Sequence, residues 1–326
     1  MTQQAFFNGP GGRTDDPETL TKDEVDYTAE GPAVLGVMGL RLEMPERMSR
    51  VSRVLHPSLG SGVWARAIAA CYPQGMPYIM GVERRESERA NAIAACPGGA
   101  FIMDFEDFIK LDGSFRPAPF DLVIDNIPFS GFPRRDKKRR IDTWGWHIEI
   151  LRAGLLTDDA IVAFYGLTQM GQGEAAQASM REWSPMLALR YGGRNEHRGE
   201  GTERLAKIPR KYQVPGGPTE EMRKNGGDSR EYTMWVWSVA DLRRRREQAL
   251  ALEGEKAWAL SLDGAPSTSS VFDDQICRLK LPRWETVQLP VLPKHLRCWS
   301  PDAVPGTRPI PQETVDTVSA LLRGAP

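Results

Sequence analysis

The chain has 326 residues, 40% hydrophobic and 26% charged, with a formal net charge of −1 at pH 7. That is enough chain for one large domain or two modest ones, and the near-neutral charge excludes attraction of a polyanion by the whole molecule, so any nucleic-acid affinity has to come from local basic clusters. No apolar run reaches the roughly 20 residues that span a bilayer, Met1 to Asp26 lacks the cationic start and apolar core of a secretory signal, and Cys71, Cys96, Cys277 and Cys298 form no CxxC pair, which predicts a cytoplasmic protein with neither a metal centre nor a disulfide framework.

Residues 1–25 are polar and glycine-rich and read as a flexible N-terminal arm. Ordered structure is predicted to begin near Tyr27. Ala33 to Leu40 reads as a helix, Val51 to Leu55 as a short strand, Ala65 to Cys71 as a helix and Tyr78 to Val82 as a strand. Arg85 to Cys96 is helical in composition, Phe101 to Met103 and Phe120 to Ile124 are strands, Trp146 to Leu156 is a helix and Ala160 to Tyr165 is a strand. Short apolar strands alternating with helices predict an α/β fold with a doubly wound, mostly parallel sheet, in which ligands bind beyond the carboxyl ends of the strands. Residues 190–230 read as a long basic loop, after which Glu231 to Ser238 supplies a strand that closes the sheet of a domain covering 26–240. Residues 241–326 read as a C-terminal extension, helical in composition from Asp241 to Leu260, then proline-rich and extended, with a final helix from Gln312 to Arg323. The chain shows no internal repeat.

Two stretches carry chemistry. In the first, Val54-Leu55-His56-Pro57-Ser58-Leu59-Gly60-Ser61-Gly62-Val63-Trp64-Ala65, a strand feeds a glycine turn that opens a helix. Gly60 and Gly62 let backbone without Cβ atoms approach an anionic ligand, and the helix start points N–H groups and a positive dipole end toward it. Glu83, ending the next strand, is placed to accept hydrogen bonds from ribose hydroxyls. The same glycines satisfy the GxGxxG/A dinucleotide pattern, so the turn alone leaves a nicotinamide cofactor open. The second stretch, Asp121-Leu122-Val123-Ile124-Asp125-Asn126-Ile127-Pro128-Phe129-Ser130, is an apolar strand that ends in Asn-x-Pro-aromatic. The stretch resembles the catalytic loop of amino-group methyltransferases, and the resemblance implies an exocyclic base amine as the group acted on, a poor nucleophile because its lone pair is delocalised into the ring. Acceptors on its two hydrogens pull the nitrogen toward tetrahedral geometry, and the Asn126 side-chain oxygen with the Ile127 carbonyl would supply them. Pro128 biases Ile127 toward extended backbone, and Phe129 offers a stacking face.

The two stretches together resemble class I S-adenosylmethionine-dependent amino-methyltransferases. His56-Pro57-Ser58 before the glycines is similar to the family's Asp/Glu-Pro-x-x-Gly-x-Gly pattern, with His56 replacing the acid. Asp104-Phe105 resembles the pair that holds the cofactor's adenine, and Tyr27-Thr28 resembles the aromatic-Thr element set against its methionine moiety. The catalytic loop departs from Asn/Asp-Pro-Pro-Tyr/Phe at Ile127. The stretch Asp228 to Trp237 is similar to the strand that ends the catalytic domain. From Tyr27 to Ser238 the chain resembles phage and bacterial adenine-specific DNA methyltransferases that carry the cofactor motif first. The resemblance implies a Rossmann-like sheet of seven strands with the last antiparallel, S-adenosylmethionine as cofactor, and methyl transfer to adenine flipped out of duplex DNA. Asn126, Ile127, Pro128 and Phe129 would be catalytic, while Tyr27, Thr28, His56, Pro57, Ser58, Gly60, Gly62, Glu83, Asp104 and Phe105 would hold the cofactor. RNA, cytosine and a protein glutamine also present an sp² amine. Ile127 and His56 suit, alternatively, a catalytically silent cofactor- or DNA-binding accessory protein.

Arg134, Arg135, Lys137, Lys138, Arg139 and Arg140 follow the catalytic loop, where their charges are expected on DNA phosphates and Trp144 or Trp146 would fill the gap left by the base. Arg194 and Arg198, with Asn195, give the long loop the residue types that read guanine and adenine edges.

Overall fold

The computed structural model describes residues 7–8, 26–60, 62–72, 75–126, 132–133, 140–141, 146, 149–150, 153–168, 185–193, 197–199, 231–241, 284–297 and 309–324. The first elements are β1 (Phe7–Asn8), β2 (Asp26–Thr28), α1 (Glu30–Glu43), α2 (Pro45–Met48), β3 (Arg53–His56), α3 (Val63–Cys71), β4 (Tyr78–Glu83), α4 (Arg89–Ala95) and β5 (Ala100–Ile102). Then come α5 (Phe105–Phe108), β6 (Phe120–Asp125), the short β7 (Phe132–Pro133) and β8 (Arg140–Ile141), β9 (Leu156–Leu167), β10 (Leu187–Gly192) and β11 (His197–Gly199). The last are β12 (Tyr232–Ser238), β13 (Glu285–Val291), α6 (Lys294–Arg297) and α7 (Gln312–Leu322).

The main sheet has nine strands in the order β1-β5-β4-β3-β6-β9-β12-β10-β13. Every neighbouring pair is parallel except those made by β12, which runs antiparallel to both β9 and β10. Leaving out the two outermost strands and counting the seven central ones by chain position gives 3-2-1-4-5-7-6, with the seventh antiparallel, as the sequence resemblance implies. Strand side chains alternate between two apolar clusters, as a period of two requires. Val54, Ile79, Leu122, Ile124 and Ala163 face the cluster shared with α1, α3 and α4. Leu55, Met80, Val123, Val162 and Phe164 face the other, shared with α5 and with Trp146 and Ile150. Both faces are covered, which is the condition for a buried parallel sheet.

Helix α1 is apolar around its circumference and correspondingly buried from Gly31 to Val37 and again at Gly39 and Leu40. Pro32 is tolerated because its missing N–H falls in the first turn, where no intrahelical acceptor exists. Close approach explains two of the glycines. A Cβ at Gly36 would lie 2.2 Å from the Tyr191 hydroxyl, and one at Gly39 would lie 3.1 Å from a Leu289 methyl. The C-terminal elements complete this layer: Leu289, Leu292, Ile310, Val315 and Val318 are all buried in the α1 cluster.

Several sequence expectations need correction. Arg190, assigned to a loop, lies in β10 and pairs with Glu231 at 3.2 Å. Neither β10 nor β13 was foreseen. Leu156, expected at a helix end, opens β9. Trp146 is 0% exposed and packs edge-on to Phe164, so it cannot fill a gap in DNA; Trp144 lies outside the described residues.

Cys71 and Cys96 are buried free thiols. Burial pushes the Cys71 thiol up to about 12, partly opposed by Arg41, and raises Cys96 further against the opposing Arg66. Neither forms appreciable thiolate at neutral pH. Both are therefore expected to stay unlabelled by iodoacetamide in the native protein and to react after denaturation, as read by peptide mass spectrometry.

Candidate active site

After β3 the chain builds outward through β4 and β5 and then returns to lay β6 on the other side of β3. The loops leaving β3 and β6 therefore diverge at a topological switch point, which opens a crevice beyond their carboxyl ends. His56 ends β3, Glu83 ends β4 and Asp125 ends β6, so topology alone gathers two of the sequence-selected positions, and the unselected Asp125, along one edge.

The glycine turn uses left-handed backbone at both glycines, with φ of 52° at Gly60 and 73° at Gly62. Its geometry is held from within: Leu59 N–H donates to the Val82 carbonyl at 2.9 Å, and Gly62 N–H donates to the Leu59 carbonyl at 2.7 Å. Gly62 is the N-cap of α3 and supplies no side-chain cap, leaving the helix start as a place for an anion. Packing gives Gly62 a second reason, because a Cβ there would sit 2.4 Å from the Ala95 methyl of α4.

Glu83 is buried and much engaged. Its Oε2 accepts the Gly60 N–H at 2.7 Å, and its Oε1 accepts both the backbone N–H and Nε of Arg85, at 2.9 and 3.0 Å. Arg85, itself 3% exposed, also approaches Glu88 at 3.9 Å. The carboxylate thus organises the glycine turn from the neighbouring strand. Arg85 is a site residue that the sequence reading missed; its only signal was a spacing of two from Glu83.

The second cluster joins the β3 and β6 loops. Asp125 is fully buried, and its Oδ2 accepts from the Ser58 N–H at 2.6 Å and the Ser58 hydroxyl at 2.7 Å. His56 Nδ1 lies 3.1 Å from Asp125 Oδ1, yet neither atom is aligned for a hydrogen bond, so charge would link them only when the imidazole is protonated. Asn126 follows. Its Nδ2 donates to Thr28 Oγ1 at 3.0 Å, while its Oδ1 is buried and has no hydrogen-bond partner. A buried amide oxygen left unsatisfied is costly. An orphan acceptor at the head of the predicted catalytic loop is the arrangement an amine donor would satisfy.

The remaining candidates separate by position. Pro57 is buried between these clusters in sequence. Asp104 caps α5 through its carbonyl, which accepts from Asp107 and Phe108 at 3.0 and 3.1 Å. Phe105 is 4% exposed and lies in the core with Phe101 and Phe108. Tyr27 pairs across strands with Arg198, and Thr28 with His197, so β2 and β11 form a ribbon that joins the predicted methionine-side element to the predicted base-reading segment. Arg140 is placed in β8. Ile127, Pro128, Phe129, Arg134, Arg135, Lys137, Lys138, Arg139 and Arg194 lie outside the described residues. Among the described residues no group of three His, Cys, Asp or Glu side chains could hold a metal, and no helix is long and apolar enough to cross a membrane.

No family model matches the chain, and no curated protein matches it in sequence. Among solved structures it is similar to a Listeria monocytogenes protein described as a class I S-adenosylmethionine-dependent methyltransferase, with 10% identity and a TM-score of 0.45 over 81% of this chain and 72% of that one. It is also similar to DrdV in complex with DNA, at 9% identity and a TM-score of 0.41, covering 69% of this chain and 27% of that one. A third is CalS10, an amino pentose methyltransferase from Micromonospora echinaspora, at 17% identity and a TM-score of 0.29 over 41% and 49% of the two chains. The strand order above, rather than these likenesses, identifies the fold.

Proposed function

We propose that this chain is an S-adenosylmethionine-dependent methyltransferase that acts on the exocyclic amine of adenine in DNA. The observation that carries the reading is the Asn126 side chain, whose Oδ1 is buried and uncommitted while its Nδ2 is tied to Thr28. Gly60 and Gly62, the start of α3, Glu83 and Asp104 are the residues that would hold the cofactor, which supplies an electrophilic methyl group on a sulfonium. Asn126 Oδ1 would accept one amine hydrogen and the main chain at Ile127 the other, so that both bonds strengthen as the nitrogen becomes tetrahedral. The nitrogen–methyl bond forms as the sulfur–methyl bond breaks, and the amine proton leaves to solvent. Phe129 would stack on the flipped base, and the basic run from Arg134 to Arg140, with Arg194 and Arg198, would hold the DNA strand.

Glu83 favours the silent accessory protein as a second reading, since Gly60 and Arg85 already occupy both of its oxygens. Calorimetric titration with S-adenosylmethionine, followed by transfer of labelled methyl to duplex DNA, RNA or protein, separates the possibilities. Binding with label recovered in N6-methyladenine is the expected result. Label only in RNA, cytosine or protein would reassign the acceptor, and an absence of binding heat would overturn the enzyme reading.

A further inference from the structure

An amide oxygen that is to accept from a reacting amine has to be held in place, because free side-chain torsions would spread it over several rotamers. We propose that Thr28 is the positioning residue that anchors the Asn126 side chain, an assignment resting on the proposed role of that amide and separate from the cofactor contact its sequence context suggests. Thr28 Oγ1 accepts the Asn126 Nδ2 hydrogen at 3.0 Å across 98 positions of sequence. With the amide nitrogen committed there, Oδ1 is left as the uncommitted group.

The anchor is itself fixed. Thr28 is 1% exposed and is the last residue of β2, where it pairs with His197 of β11. The next residue, Ala29, is the N-cap of α1 and is also 1% exposed. Thr28 thus stands between a paired strand and the start of the largely buried helix α1. The Asn126 backbone is held just as firmly by its neighbour Asp125, through the bonds to Ser58. Both ends of the Thr28–Asn126 bond are therefore positioned by the protein's own pairing and packing.

The test compares Thr28→Val, which keeps the shape and removes the hydroxyl, with Thr28→Ser, which keeps the hydroxyl. Thr28→Ala serves the same purpose if valine is not accommodated. The Asn126 side-chain amide signals, assigned by their loss in Asn126→Asp, are followed by nitrogen–proton NMR. They should shift in Thr28→Val, with hydrogen exchange faster by about tenfold, and remain close to wild type in Thr28→Ser. Single-turnover methyl transfer should fall by about tenfold in Thr28→Val and recover in Thr28→Ser, with S-adenosylmethionine affinity changed by less than about twofold. Unchanged Asn126 signals in a folded Thr28→Val protein overturn the proposal. A loss of cofactor affinity equal to the loss of rate also overturns it, by returning Thr28 to the cofactor. A wild-type protein that methylates nothing refutes the proposed function alone, and the amide signals then decide the role of Thr28 by themselves.

Discussion

Asn126→Ala is expected to slow single-turnover methyl transfer by about 100-fold or more while leaving S-adenosylmethionine affinity nearly unchanged. The asymmetry follows from the role proposed for the side chain. Its oxygen lies buried without a partner in the ground state, so truncation removes little that stabilises the free protein. Its one bond, from Nδ2 to Thr28, is lost as well, but a neutral hydrogen bond is worth only about 1 kcal/mol. The loss appears where charge develops on the amine, because only there does the acceptor strengthen its bond. Rapid-quench turnover with saturating cofactor, alongside calorimetry, checks both halves. A variant with near wild-type turnover would place the amine acceptor elsewhere on the loop.

Asp125→Ala is expected to be the most destabilising single truncation at the site, by roughly 2–4 kcal/mol. Asp125 is 0% exposed, and one of its oxygens receives both the backbone N–H and the hydroxyl of Ser58. Removing it strands the Ser58 N–H, leaves the Ser58 hydroxyl the Asn126 carbonyl at 3.5 Å, and takes away the Asp125 carboxylate beside the buried His56 imidazole. Asp125→Asn retains an acceptor for Ser58 and should lose markedly less. Urea unfolding followed by circular dichroism measures both. Equal stability of the alanine variant and the wild type would mean that the β3 and β6 loops are not fastened through this carboxylate.

The strands that could be read from sequence are those where local composition and tertiary demand agree. β4, β6 and β9 are apolar runs at the sheet centre, and β12 is rich in Tyr, Trp, Val and Thr. β10 could not be found this way. Leu187-Ala188-Leu189-Arg190 consists of good helix formers, and it is extended because β12 and β13 pair with it on both sides. β13 was hidden by its proline. Pro290 has no N–H for a ladder, but the pairing with β10 advances by three residues on β13 for two on β10, and an edge strand with such an irregularity accepts proline.

The site divides in the same manner. Gly60, Gly62, Glu83 and Asn126 were legible because backbone geometry or a strand end dictates where they must lie. The links among side chains were not, since Thr28 reaches Asn126 across 98 positions, and Ser58 reaches Asp125 across 67. Such pairs carry no local period or spacing. His56 shows the limit from the other direction: its departure from the family's acid was visible at once, but the nearby Asp125 carboxylate became apparent only when β3 and β6 were placed side by side.

The parallel seating of β13 on β10 also bears on the order in which the protein can be made. β10 ends at Gly192 and its outer partner begins at Glu285, so on a ribosome the buried residues Leu187, Leu189 and Tyr191 are synthesised long before the strand that covers their edge. Until Leu289, Val315 and Val318 emerge, the α1 layer lacks part of its apolar lining as well. The nascent chain therefore holds an open strand edge beside an incomplete core, a combination that favours pairing with other copies. A chain stopped ahead of Glu285 would keep that edge permanently, so solubility, rather than catalysis, is the property that the last forty or so residues guard first.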